Sequence, residues 1–310
     1  MEIIRYSKNI ILPKKSRFIA LGVFDGVHLG HQKLIKLTVD KAKKNDGISI
    51  VVTFDPHPDK IINPESDIFF LTTLGERINL IKDLDVDIFL IIKFDNKMSK
   101  MLPEDFLSKI LADGLQTKEL FVGFNYKFGF QGKGNVDFLR EYGKLYKLKT
   151  NILKPMVIDK AIISSTIIKD YIKLGEIGKA KKLLGHNITI SGKVVSGKSR
   201  GRKLLNFATA NIETSLDKIL PANGVYFVEI KIDDEKYYGL MNIGFKPTFK
   251  ETERTIEVHI INFNKNIYNK KVVVNIFQRI RDEKYFKHPN LLKKQMGEDI
   301  LVAHKMISNM

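Results

Sequence analysis

The sequence predicts an α/β chain in two parts: a doubly wound parallel sheet with helices on both faces over residues 1–185, then an antiparallel β-barrel closed by a helix over residues 186–310. Three observations predict it. Short apolar runs alternate with helix-period segments through the first part. Strand-type alternation broken by Asp, Asn and Gly turns fills the second. The 310 residues, 44% hydrophobic and 28% charged, provide for two cores at roughly 100–200 residues per domain.

In chain order, residues 18–23 form a short apolar run ending in turn residues, and Leu34, Leu37 and Val39 start a helical pattern. Residues 48–54 and 88–92 are nearly continuous apolar runs, as strands buried on both faces require. Residues 76–84, 106–111 and 138–145 read as helices, and 120–123 as a strand. Strands interleaved with helices imply a parallel sheet, whose ligands bind at the carboxyl ends of the strands. A helix over 166–184 ends at Gly185, a candidate left-handed cap. Residues 188–195, 225–232, 237–243, 255–261 and 271–276 then alternate as barrel strands. The final helix carries Leu292, Met296, Ile300, Ala303 and Ile307 on one face, a packing stripe with no function of its own.

Composition removes several function classes. With no Cys there are no disulfides, thiol nucleophiles or Cys-ligated zinc. No apolar run approaches the ~18 residues of a membrane span, and the charged start does not read as a secretory leader, so a soluble cytoplasmic protein without a membrane partner is expected. The net charge of +17 invites a nucleic-acid reading. The cations, however, are 43 Lys against nine Arg. Lys is the solvated surface cation, whereas Arg reads bases and grips phosphate bidentately, so no specific nucleic-acid partner is expected. Homo-oligomer formation stays open.

The segment Gly22-Val-Phe24-Asp25-Gly26-Val-His28-Leu-Gly30-His31 leaves the first strand and opens the first helix. A helix N-terminus offers unpaired N–H groups and partial positive charge, which suit nucleotide phosphates. Gly22 and Gly26 allow close backbone approach, and His28 and His31, three apart, point the same way.

This segment resembles the His-x-Gly-His signature of the nucleotidyltransferase superfamily. Ile163-Ser164-Ser165-Thr166 is similar to the second, triphosphate-contacting motif of those enzymes, although the run also reads as a plain helix cap. VVTFDPHP (51–58), LTT (71–73) and VGFNYKFG (122–129) resemble one branch, the adenylyltransferase module of bacterial bifunctional riboflavin kinase/FAD synthetases. The resemblance implies an FMN adenylyltransferase domain at 1–185. In it Gly22, Phe24, Asp25, Gly26, Gly30, Asn125, Ser164, Ser165 and Thr166 bind nucleotide, His28 and His31 act in catalysis, and Phe128 lies at the flavin. His57, between two prolines, is explained as well by a rigid turn as by ligand contact. Lys169, Lys127 and Ile162 depart from residues common in the family.

The second half carries the basic, glycine-spaced loop Gly197-Lys198-Ser-Arg200-Gly-Arg202, which can wrap a polyphosphate. Ala208-Thr209-Ala210-Asn211 resembles the Pro-Thr-Ala-Asn motif of riboflavin kinases, and Glu257-Val-His-Ile resembles their Glu-x-His-Ile. The likeness implies a riboflavin kinase barrel at 186–310. There Gly197, Lys198, Arg202, Thr209 and Asn211 bind nucleotide, with Thr209 and Asn211 also holding Mg2+. Glu257 is the general base and Arg281 lies beside the flavin. Taken alone, Glu257 reads as an ordinary exposed strand carboxylate. NIGFKPTF (242–249) and RIRDEKYF (279–286) match further family segments. The signature departs at Asn206 and Ala208, where glycine and proline are usual.

The expected function is thus phosphorylation of riboflavin to FMN by ATP and adenylylation of FMN to FAD by a second ATP. The alternatives are a chain with only the adenylyltransferase active, or a non-catalytic flavin- or RNA-binding regulator.

Overall fold

A strand covered on both faces needs apolar side chains at nearly every position, and β2 (Arg17–Leu21), β3 (Ile48–Asp55) and β4 (Ile88–Lys93) are buried almost throughout. In the computed structural model, which describes residues 1–196, 209–245 and 254–310, these three form the centre of a six-stranded sheet. Adding β1 (Glu2–Arg5), β5 (Thr117–Gly123) and β6 (Lys149–Leu153) gives the order β1-β4-β3-β2-β5-β6, every pair parallel. The chain runs outward from β2 through β3 and β4, then returns to place β5 on the other side of β2. That reversal opens a crevice at the carboxyl ends of β2 and β5. One apolar cluster fills each face of the sheet, with Ile50, Leu90 and Leu120 on one side and Phe18, Ile35 and Phe89 on the other. A short hairpin, β7 (Val157–Ile158) with β8 (Ala161–Ile162), follows.

The second architecture is a closed antiparallel barrel, β10-β13-β12-β11-β14-β9. Its strands are β9 (Ile188–Val195), β10 (Thr209–Glu213), β11 (Gly224–Ile232), β12 (Glu235–Phe245), β13 (Arg254–Ile260) and β14 (Lys271–Asp282). Alternation sends Ile190, Ile212, Met241, Val258 and Val274 inward. β11 is buried on both faces, because Val225 and Phe227 meet Leu240 of β12 and Ala303 of the closing helix Pro289–Ser308. Of the expected packing stripe, Ile300, Ala303 and Ile307 join this cluster.

The predicted fold class is the one observed, with differences in detail. The helix expected over 166–184 is two helices, Ser165–Lys173 and Ile177–Leu184. The break is at Gly175, where φ is +74° and a Cβ would lie 3.0 Å from the Arg279 guanidinium; glycine meets both demands without strain. Gly185 caps the second helix in the left-handed conformation, as its position predicts. Residues 106–114 form a π-helix, with the Leu115 N–H bonded to the Ile110 carbonyl.

The chain makes two compact units, and they are not contiguous in sequence. One is Met1–Ile68 with Leu74–Ser164; the other is Phe69–Thr73 with Ser165–Met310. Within the second unit, the Phe70 N–H donates to the Asp217 carbonyl at 2.7 Å and the Ile219 N–H donates to the Phe70 carbonyl at 2.9 Å. A strap of five residues from early in the chain is thereby bonded to the segment after β10.

Candidate active sites

The first site is a loop that leaves β2 and ends at the N-terminus of the helix Leu29–Lys44. Three of its residues are left-handed: Phe24 (φ 57°), Gly26 (φ 81°) and Val27 (φ 41°). A β-branched residue in that region is strained, and such strain concentrates at functional sites. His28 is the helix N-cap, its Nδ1 accepting from the His31 N–H at 3.2 Å. A neutral ring whose Nδ1 accepts carries its proton on Nε2, so Nε2 is the atom that can donate to a ligand.

The two imidazoles stack with centroids 3.5 Å apart, and Phe24 meets His31 edge-on at 5.3 Å. Burial, then the nearby His28 and Arg77, hold His31 well below the ordinary histidine range, so it is neutral at pH 7. A Cβ on Gly30 would lie 3.2 Å from the His28 ring, so glycine there keeps the stack intact.

Asn125 follows β5, with its Oδ1 beside Gly123, at the other lip of the sheet crevice. Phe128 is only 7% exposed, and its ring packs on Tyr126, Phe106 and Phe138 in the core. Asp25 is also buried, at 4% exposure. Ser164 ends the first unit, while Ser165 and Thr166 open the helix Ser165–Lys173 of the second. His57 caps a short helix by accepting from the Asp59 N–H at 3.2 Å, which accounts for it as a turn residue.

The second site lies on the outer wall of the barrel. Ile256 and Val258 point inward, so Glu257 points outward. Register places Asn211 opposite Glu257, Glu257 opposite Asn242, Asn242 opposite Val225, and Val225 opposite Arg281. Directly opposed antiparallel residues share a face with Cβ atoms about 4.5–5.5 Å apart. Residues far apart in sequence therefore form one row across the wall, and Thr209 opposite His259 lies in the row beside it. Asn242 was not singled out from sequence; only its lateral pairing with Glu257 brings it forward.

At the far end of the row Arg281 is held by Asp299 of the closing helix, Nη2 to Oδ2 at 2.7 Å and Nε to both carboxylate oxygens at 3.0 Å. Gln295 donates to the same carboxylate at 3.1 Å. With side-chain exposures of 14% and 5%, this pair is nearly dry. Asp299→Asn strands a cation there, and urea unfolding is expected to show the barrel destabilised by about 3 kcal/mol. Gly197, Lys198 and Arg202, expected at the nucleotide, lie outside the described residues, as do Asn206 and Ala208.

The donor set on β10 suits magnesium. Thr209 and Asn211 are two residues apart on one face and offer a hydroxyl and an amide oxygen, the hard ligands a partly hydrated Mg2+ accepts. Among the described residues no cluster of three or more His, Asp or Glu could hold a metal, so the remaining ligands would come from ATP and water.

Comparison with known proteins agrees with both halves. A family model for FAD synthetase matches residues 12–167, and one for riboflavin kinase matches residues 184–307. The chain is 37% identical to the bifunctional riboflavin kinase/FMN adenylyltransferase of Buchnera aphidicola subsp. Schizaphis graminum, covering 98% of each. It is 32% identical to the protein of that name from Bacillus subtilis, over 99% of this chain and 98% of that one. Among solved structures it is similar to one described as a macrolide-efflux protein from Streptococcus pneumoniae, at 30% identity and a TM-score of 0.87, covering 98% and 99% of the two chains. That description concerns transport, yet among the described residues of this chain no helix is long and apolar enough to cross a membrane. Two family models in tandem, and full-length likeness to relatives sharing one name, place this chain in the bifunctional riboflavin kinase/FMN adenylyltransferase family.

Proposed function

We propose that the two reactions of this family are divided between the two clusters: FMN is adenylylated at the loop of His28 and His31, and riboflavin is phosphorylated on the barrel wall at Glu257. The observation that supports this division is the separation of the motif residues into a loop at the sheet's carboxyl edge and a row across the barrel wall.

In the adenylylation, a phosphate oxygen of FMN attacks the α-phosphorus of ATP and pyrophosphate leaves. The nucleophile is already an anion, so the chain need only position it and stabilise charge. His28 donates from Nε2 to a phosphoryl oxygen, and His31 presents a neutral donor beside it. Gly22, Phe24, Asp25, Gly26 and Gly30 shape the cradle, and Ser164, which ends the same unit, serves the outer phosphates. Asn125 contacts the nucleotide from the β5 lip. Phe128 serves the flavin from behind, as the packed floor of that wall.

In the phosphorylation, Glu257 accepts the proton of the ribityl 5′-hydroxyl as its oxygen attacks the γ-phosphorus and ADP leaves. Thr209 and Asn211 would hold the Mg2+ that neutralises charge on the ATP polyphosphate. Gly197, Lys198 and Arg202 supply backbone N–H groups and positive charge to the nucleotide phosphates. Arg281 acts on the flavin side by fixing the closing helix through Asp299. The protein works in the cytoplasm on small molecules.

Incubating the purified protein with riboflavin, ATP and magnesium is expected to yield FMN and then FAD, separated by chromatography. FAD formed only from added FMN would instead favour a chain with the adenylyltransferase alone active, a reading for which the replacement of proline by Ala208 speaks. Neither product would favour a non-catalytic regulator.

A further inference from the structure

Arg77 is 4% exposed and carries a positive charge, and nothing in the reactions above calls on it. A charge so buried is retained only when it is well partnered. It projects from the helix Leu74–Lys82, and its Nη1 donates to the Val23 carbonyl at 2.6 Å and to Thr53 Oγ1 at 3.2 Å. Thr53 Oγ1 donates to the same carbonyl at 2.9 Å. Donors from a helix and from β3 thus converge on one carbonyl at the start of the histidine loop. Burial lowers the Arg77 pKa from its ordinary value, and Asp25, within that loop, and Asp55, at the end of β3, partly offset this in favour of the cation.

The loop needs such an anchor. Phe24 and Val27 are non-glycine residues at φ 57° and 41°. Each costs on the order of 1–3 kcal/mol and persists only where surrounding structure holds it. The loop's own bonds include the Val27 N–H to the Phe24 carbonyl at 3.1 Å and the His28 cap. Arg77 and Thr53 supply restraint from outside it.

We infer that Arg77 is a positioning residue for FMN adenylylation: it clamps the Val23 carbonyl so that the strained loop presents His28 and His31 in one pose, and it lends buried positive charge to the phosphate site. The inference rests on that loop being the adenylylation site. The groups around the His31 ring are the stacked His28, the edge of Phe24 and the Arg77 cation, with Asp25 and Asp55 beyond it. Removing the cation therefore moves His31 toward its ordinary titration range.

The test uses the full chain with Arg77→Met, Arg77→Gln and Arg77→Lys. FAD formation from supplied FMN, FMN formation from riboflavin, and the NMR titration of the His31 imidazole are read on the folded fraction. In Arg77→Met and Arg77→Gln, kcat for FAD formation is expected to fall by about 10²-fold, the cost of a misplacement near 1 Å. Riboflavin phosphorylation should stay within about twofold, and the His31 midpoint should rise. Arg77→Lys keeps the charge but not the planar fork, so about a tenfold loss is expected with His31 still titrating low.

A folded Arg77→Met or Arg77→Gln protein with unchanged kcat, or with an unmoved His31 midpoint, overturns the inference. If neither folds, an Arg77→Lys protein that matches the unsubstituted rate overturns it too. His31→Ala serves as the control: full FAD formation without that imidazole would defeat the site assignment itself, before Arg77 is judged.

Discussion

Glu257→Gln is expected to lower riboflavin phosphorylation by about 10²–10⁴-fold, the span usual for loss of a positioned base. Glutamine keeps the size and the outward placement between Asn211 and Asn242 but cannot accept the hydroxyl proton. ATP affinity should change little, because Thr209 and Asn211 are assigned to the metal and phosphates on the neighbouring strand. FAD formation from supplied FMN should be untouched. Separate assays of the two products on one preparation check all of this. A variant that keeps most of its kinase rate would return Glu257 to the status of an ordinary strand carboxylate.

The second large effect is expected at the histidines. His28→Ala or His31→Ala should reduce FAD formation by roughly 10²–10³-fold, as for removal of one preorganised donor from developing charge. The two differ in side effects. His28→Ala also deletes the bond to the His31 N–H and so costs about 1 kcal/mol of helix capping. His31→Ala leaves the cap but removes one member of the stack. Phosphorylation of riboflavin by either variant should remain intact. Equal loss of both activities would defeat the two-site division.

Much of the fold is legible in the sequence. β3 and β4 declare themselves because strands buried on both faces must be apolar throughout, and β13 does so because Ile256, Val258 and Ile260 alternate with polar residues. The strands that were not anticipated are those whose chemistry is not that of a core. β1 is a four-residue edge strand with mostly exposed side chains, and β6 carries Lys149, Thr150 and Asn151 before any apolar residue.

β10 was seen only as a ligand motif, since its outward positions hold oxygen donors. The helical period runs straight across Gly175, and the close approach of Arg279 that requires glycine there comes from a strand a hundred residues away. The site followed the same rule. The histidine loop is local and legible, whereas Arg77 looks like any charged residue of an amphipathic helix. Only tertiary placement, against Val23 and Thr53, distinguishes it. Asn242 likewise gains meaning only from strand register.

The strap at Phe69–Thr73 bears on how the chain is made. Phe70 bridges to Lys218, and the 148 residues from 71 to 218 must leave the ribosome before that pairing can form. At roughly 5–20 residues per second the wait is about 7–30 s. By then the N-terminal sheet, complete at Leu153, has had time to fold, while the partner of the strap does not yet exist. The bonds of the Phe70 N–H and C=O to Asp217 and Ile219 can form only after that. The nascent protein therefore carries an open β-template for nearly half of its synthesis. This short stretch is where mispairing or a chaperone would first take hold.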